Sequence, residues 1–134
     1  MKRMPQPRAI LFETALHGEI LNLDEEDKKR GYAGGMSANR INAGLGTIIS
    51  QVLEQVGREK IAGLYTTGGD TMVNVCYQLG VECIEVMDYV IPQTDVGRLV
   101  GKYDGLPVVG KGGLTGNDNT ACDIVERLFK EAAR

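Results

Sequence analysis

Two short strings carry the residue types that could do chemistry. The first is TTGGDT, Thr66 to Thr71, and the second is GKGGLTG, Gly110 to Gly116. Each follows an apolar, strand-like run and precedes a helical pattern. At the carboxyl end of a parallel strand, the next helix presents unpaired N–H groups and the positive end of its dipole, a setting that suits phosphate. Gly68 and Gly69 would let a phosphate reach the backbone. Asp70 could hold a ribose hydroxyl or a metal-bound water, and Thr71 could cap the helix or donate its hydroxyl to a ligand. The same string also makes a tight strand-to-helix turn with an Asp or Thr cap and no ligand. Taken alone, it leaves both readings open.

The second string repeats the layout and adds a cation. Lys111, beside the bare backbone of Gly112, Gly113 and Gly116, can neutralise phosphate charge. It is not a Walker A motif, because no Lys-Ser or Lys-Thr pair follows the loop, and it lacks the GxGxxG spacing of a dinucleotide fingerprint. By itself it is also compatible with a flexible turn and a solvated lysine. Two such turns in one small domain favour a nucleotide crevice.

The elements that must position these turns alternate along the chain. AILFETA reads as a short buried strand, and LDEEDKKRGYAGG as a charged, glycine-ended loop. Ser37 is expected to cap a helix running to about Val56, with Ile41, Leu45, Ile48, Ile49, Val52 and Val56 on its inward face. Gly44 and Gly46 would allow close packing against a strand, and Gly57 would end the helix. IAGLYTT is the next strand, followed by a helix from Thr71 to Leu79 that ends at Gly80. VECIEVMDYVI is a strand, and VGRLVGKYDGLPVVGK reads as a hairpin around Asp104-Gly105. A last helix carries the stripe Ala121, Ile124, Val125, Leu128, Phe129 and Ala132, with Asn117 to Asn119 available as caps. The expected fold is α/β: a three-layer, Rossmann-like domain with a mostly parallel, mixed sheet that includes a β-hairpin.

Composition bounds the function. The 134 residues fit one domain, 1–134, and 43% hydrophobic with 25% charged residues is ordinary for a globular chain. A net charge of -3 offers no basic face for nucleic acid, and no stretch is long and apolar enough to span a membrane. Three cysteines without CxxC spacing and a single histidine argue against a zinc site or disulfide framework, so no metal ligands are assigned and a reducing cytoplasm is expected. The basic start MKRMPQPR is followed by an apolar run that Glu13 interrupts, unlike a signal peptide. His17, Asp88, Asp95, Asp104 and Asp118 read as surface or turn residues, and Tyr65 and Tyr89 as partial core.

YTTGGDTMVNVCYQLGV, IPQTDVGRL and LPVVGKGGLTGNDN, in that order, resemble the carboxyl-terminal nucleotide-binding domain of the four-carbon acid sugar kinases, from about Ser37 to the end. That family includes the 3-oxo-tetronate, threonate and erythronate kinases, and some members were formerly labelled type III effectors; no residue here supports that label. The markers are Gly68, Gly69, Asp70 and Thr71, then Lys111, Gly113 and Gly116, and Leu114-Thr115 stands where the family often has an aromatic residue. The resemblance implies an ATP- and Mg²⁺-dependent kinase acting on a sugar acid, with this chain as the nucleotide-binding second domain. The sugar-acid site and the catalytic base would then belong to an amino-terminal domain, as in the family's two-domain members, and the family's earlier Gly-Ser-Cys-Ser segment, which also touches the nucleotide, has no counterpart here. The isolated chain is expected to be inactive. An apolar face left by the missing half would favour a homodimer. A regulatory module binding a nucleotide or phosphorylated metabolite is the alternative, and a dehydrogenase fragment is opposed by the loop spacing.

Overall fold

The run LDEEDKKR, expected to be a loop, is a helix, α1 (Leu23–Arg30), in the computed structural model, which describes residues 9–134. Its signals lie at its ends rather than along an apolar stripe. Asn22 Oδ1 accepts Glu25 N at 3.3 Å, acids fill the first turn and bases the last, and Gly31 closes the helix at φ 68°. AILFETA, by contrast, forms no strand, and residues 9–22 lie outside regular structure. A strand needs a paired neighbour, and none lies beside this segment.

Helix α2 (Met36–Val56) starts from Gly35, and Ser37 is not its cap. The cap comes from α1. Asp27 is 3% exposed and accepts Gly35 N and Ser37 N, each at 2.8 Å. The Ser37 hydroxyl foremost, and then the N–H groups of Ser37, Gly35 and Met36, hold the Asp27 carboxyl below its ordinary range, against the opposing effect of burial. The buried face of α2 also differs from the expected stripe. Gly46 and Leu53 are buried, while Ile41, Ile48 and Val56 remain about two-fifths exposed. The reason is the neighbour. A Cβ on Gly46 would meet Asn74 O at 2.9 Å, so the glycine seats α2 against the next helix, not against a strand, and Gly44 faces open space.

A 3₁₀ turn (Arg58–Lys60) leads into β1 (Leu64–Thr67), α3 (Gly69–Leu79), β2 (Val81–Ile91), β3 (Thr94–Gly101), β4 (Pro107–Lys111) and α4 (Thr120–Ala132). The sheet is open and mixed, with order β1-β4-β3-β2. It is not mostly parallel: β1 pairs parallel with β4, whereas β2–β3 and β3–β4 are antiparallel. The short links from β2 to β3 and from β3 to β4 leave no room for crossover helices, so these strands can only reverse.

Alternate residues of β3 and β4 feed two apolar clusters. Leu99 and Val108 pack with Leu53, Val75 and Leu79 of α2 and α3, while Val96 and Val109 pack with Ile124 and Leu128 of α4. In α4 the buried positions are Thr120, Ile124, Leu128 and Glu131, a stripe displaced from the expected one. Glu131 is buried because Arg127 (2.9 Å), Arg134 (3.4 Å) and Arg98 (3.5 Å) surround its carboxylate. Tyr65 packs against the α4 cluster, but Tyr89 is 63% exposed on the edge strand β2 and is not core.

Candidate functional site

Parallel pairing of β1 with β4 brings the two glycine strings to the same end of the sheet. Thr66 lies opposite Gly110, and Thr67 opposite Lys111. The pairing continues into the turns, where Gly68 N donates to Lys111 O at 2.9 Å. Gly68 can sit there because it adopts φ 92° and ψ 133°, which residues with a Cβ avoid. Gly110 has a different task. A Cβ on it would collide with Met72, so this glycine lets the first turn of α3 close onto the sheet.

The expected site residues divide into three groups. Gly69, Asp70 and Gly113 are exposed, and a Cβ on either glycine would meet nothing within 4 Å. Gly68, Gly112 and Gly116 serve the backbone. Gly112 N donates to Gln93 O at 2.8 Å, and Gly116 takes φ 99° against Thr120. Thr71 and Lys111 are occupied within the fold. The Thr71 hydroxyl donates to Asn42 Oδ1 on α2 at 2.9 Å, and Lys111 Nζ donates to Gly112 O at 2.6 Å. Thr71 does not cap its helix, because Gly68 holds that position and no side chain caps α3. Asn119 likewise precedes α4 without a side-chain cap, and Asn117 Oδ1 instead accepts Asn119 N at 2.9 Å.

Of the residues that brace these turns, Thr66 lies in TTGGDT and Pro92, Gln93 and Thr94 in IPQTDVGRL, but no local pattern marked their contacts. Gln93, at φ 62°, carries the β2–β3 turn against the second glycine loop, and Pro92 O accepts the Thr115 hydroxyl at 3.4 Å. Thr66 and Thr94 flank β4, both are buried, and both hydroxyls lack a hydrogen-bond partner among the described residues. Such orphans are uncommon in a packed interior. Asn42 had no local signal either, since its partner is 29 residues away.

The electrostatics suit an anion. Helix α3 begins at this face with N–H groups that no side chain caps, Lys111 adds a cation, and the space beside Gly69 and Gly113 is open. Among the described residues, no group of three or more His, Cys, Asp or Glu is placed to hold a metal ion. His17 lies far along the chain from both turns, 87% exposed, with Nδ1 3.0 Å from Glu13 Oε1. Asp88 pairs with Arg127 at 2.8 Å, which holds its carboxyl below the usual range. A concavity of about 530 Å³ lies between α2 and α3 and includes Asn39, Arg40 and Asn74, but neither glycine turn lines it.

The family described as the nucleotide-binding C-terminal domain matches residues 2–121. The chain belongs to that family. Its relatives are sugar-acid kinases, which makes it the carboxyl-terminal domain type of the four-carbon acid sugar kinases. It is 45% identical over 93 residues to D-erythronate kinase of Heliobacterium modesticaldum, covering 69% of this chain and 21% of that protein. It is 31% identical over 124 residues to D-threonate kinase of Salmonella typhimurium, covering 91% of this chain and 29% of that one. Two crystal forms of a Bordetella bronchiseptica protein containing a domain of unknown function, each described as a domain-swapped dimer with bound citrate, superpose with a TM-score of 0.64. Identity is 27% and 28%, over 73% and 74% of this chain and 24% of theirs. The chain thus spans about a quarter of the length of the relatives it matches. Among the described residues, no helix is long and apolar enough to cross a membrane.

Proposed function

We propose that this chain is the ATP-binding domain of a cytoplasmic kinase that phosphorylates a four-carbon sugar acid. The observation that carries the reading is the Gly68 N to Lys111 O bond, which joins two glycine turns into one phosphate-facing edge. Gly68, Gly69 and the α3 N–H groups cradle the phosphates, with Gly112, Gly113 and Gly116 shaping the opposite wall. Lys111 swings from Gly112 O to offset phosphate charge, Asp70 takes a ribose hydroxyl or a Mg²⁺-bound water, and Thr71 fixes the turn through Asn42. ATP, when bound, supplies the phosphoryl group, and Mg²⁺ is held chiefly by the phosphates themselves. The sugar acid and the general base belong to a separate amino-terminal domain. The three-layer, Rossmann-like arrangement is supported by the two apolar clusters on opposite sides of the sheet. The swapped dimers of the Bordetella protein support a homodimer here as well.

Calorimetry with ATP, ADP, NAD and a phosphosugar, each with and without Mg²⁺, tests the reading. The expected result is weak ATP and ADP binding that Mg²⁺ alters. NAD binding without ATP binding rejects it. The open space beside the glycines also suits a second reading, a non-catalytic module for a phosphorylated metabolite, and binding of the phosphosugar alone would favour that one.

A further inference from the structure

Three features of the described residues remain unpartnered in the single chain. The arm before α1 is apolar and exposed: Ile10 is 71%, Leu11 73% and Ile20 80% accessible. Its hydrogen bonds are local, with Glu13 accepting Leu16 N at 2.7 Å and facing His17 Nδ1 at 3.0 Å. Among the described residues strand β1 ends the sheet, so one side of Leu64–Thr67 presents unpaired backbone groups. The backbone of α2 approaches α1, α3 and the 3₁₀ turn but no strand, and its Ile41 and Ile48 stay partly exposed.

We infer that the β1 edge is a strand-acceptor site filled by residues 9–12 of a second copy of this chain. The run Ala-Ile-Leu-Phe has apolar residues on both faces of a strand, as a parallel strand covered on both sides requires, and it matches the four residues of β1. The other open edge is a poorer acceptor. Strand β2 carries Glu82, Glu85 and Asp88 and three register irregularities, features that blunt an edge. In the single chain the arm turns at Glu13 and stays off its own β1, which leaves it free to reach a partner. Two arms and two edges related by a twofold axis close on each other, so the exchange stops at a dimer. The inference deepens the homodimer reading by naming the exchanged segment and its seat.

The test is sedimentation velocity on the full chain, with hydrogen exchange at Leu64–Thr67. The wild-type chain should be a dimer whose β1 amides exchange slowly. Leu11→Asp should weaken dimerisation at least about tenfold and speed exchange at β1. Because Leu11 is exposed in the single chain, its melting curve should remain cooperative. Val86→Asp on β2 should leave the dimer intact. A wild-type monomer, even one with protected β1 amides, overturns the inference, since the arm would then dock on its own chain. So does a dimer that Leu11→Asp leaves unchanged or that Val86→Asp separates. ADP affinity, measured on the same variants, reports on the nucleotide reading separately.

Discussion

Gly69 separates ligand from fold more cleanly than its neighbours do. It starts α3 at an ordinary φ, and a side chain there would enter open space. Gly69→Val should therefore shift stability by no more than about 0.5 kcal/mol, while blocking the approach of phosphate. Gly68→Ala should do the reverse to the fold, costing about 1–2 kcal/mol through its left-handed backbone. Lys111→Ala should melt close to wild type, bind ADP less tightly and lose much of the salt dependence of binding. Thermal melts and ADP titrations on the three variants check this. Unchanged ADP affinity in folded Gly69→Val and Lys111→Ala would reduce both strings to turns. Residue types and order were enough to mark the turns, because each glycine cluster follows a strand-like apolar run and precedes a helical pattern. The contacts that brace them were hidden. Thr71 with Asn42, and Gly112 with Gln93, join residues distant in sequence, and no local pattern records such a pair.

Among the elements, those with apolar periodicity or glycine stops were legible, namely α3 with Gly80, β2, and α2 with Gly57. Helix α1 was missed because charge at its ends, not an apolar stripe, sustains it. The arm was overread, because an apolar run becomes a strand only beside a partner. The junction of α1 and α2 turns on Asp27, which supplies the cap that Gly35 cannot. The folded carboxyl titrates below its ordinary range, so its contribution is present above the unfolded value, about 3.9, and is lost as pH falls through the folded one. Asp27→Asn should lower the melting temperature at neutral pH. The gap between wild type and variant should stay flat from pH 8 to about 5 and narrow under acid conditions. Melting curves across that range check it, and a gap that widened in acid would show that Asp27 acts in its neutral form.

The whole molecule offers one side of a reaction. Phosphoryl transfer needs charge stabilisation and positioning around both the attacking and the leaving oxygens. On the proposed reading this chain supplies Lys111 and one exposed acid, Asp70, beside the two glycine turns, and the sugar-acid kinases it resembles are about three times as long. On the same reading the two joined turns bind a nucleotide without a second domain, and the general base lies elsewhere. The purified chain should therefore bind ADP yet release none from ATP in the presence of threonate or erythronate. A coupled ADP-release assay checks this, with Lys111→Ala as the control for contaminating kinases. Turnover above background that Lys111→Ala abolishes would place the acceptor site on this chain, and the concavity holding Asn39, Arg40 and Asn74, beside the first turns of α2 and α3, would be the first place to look for it.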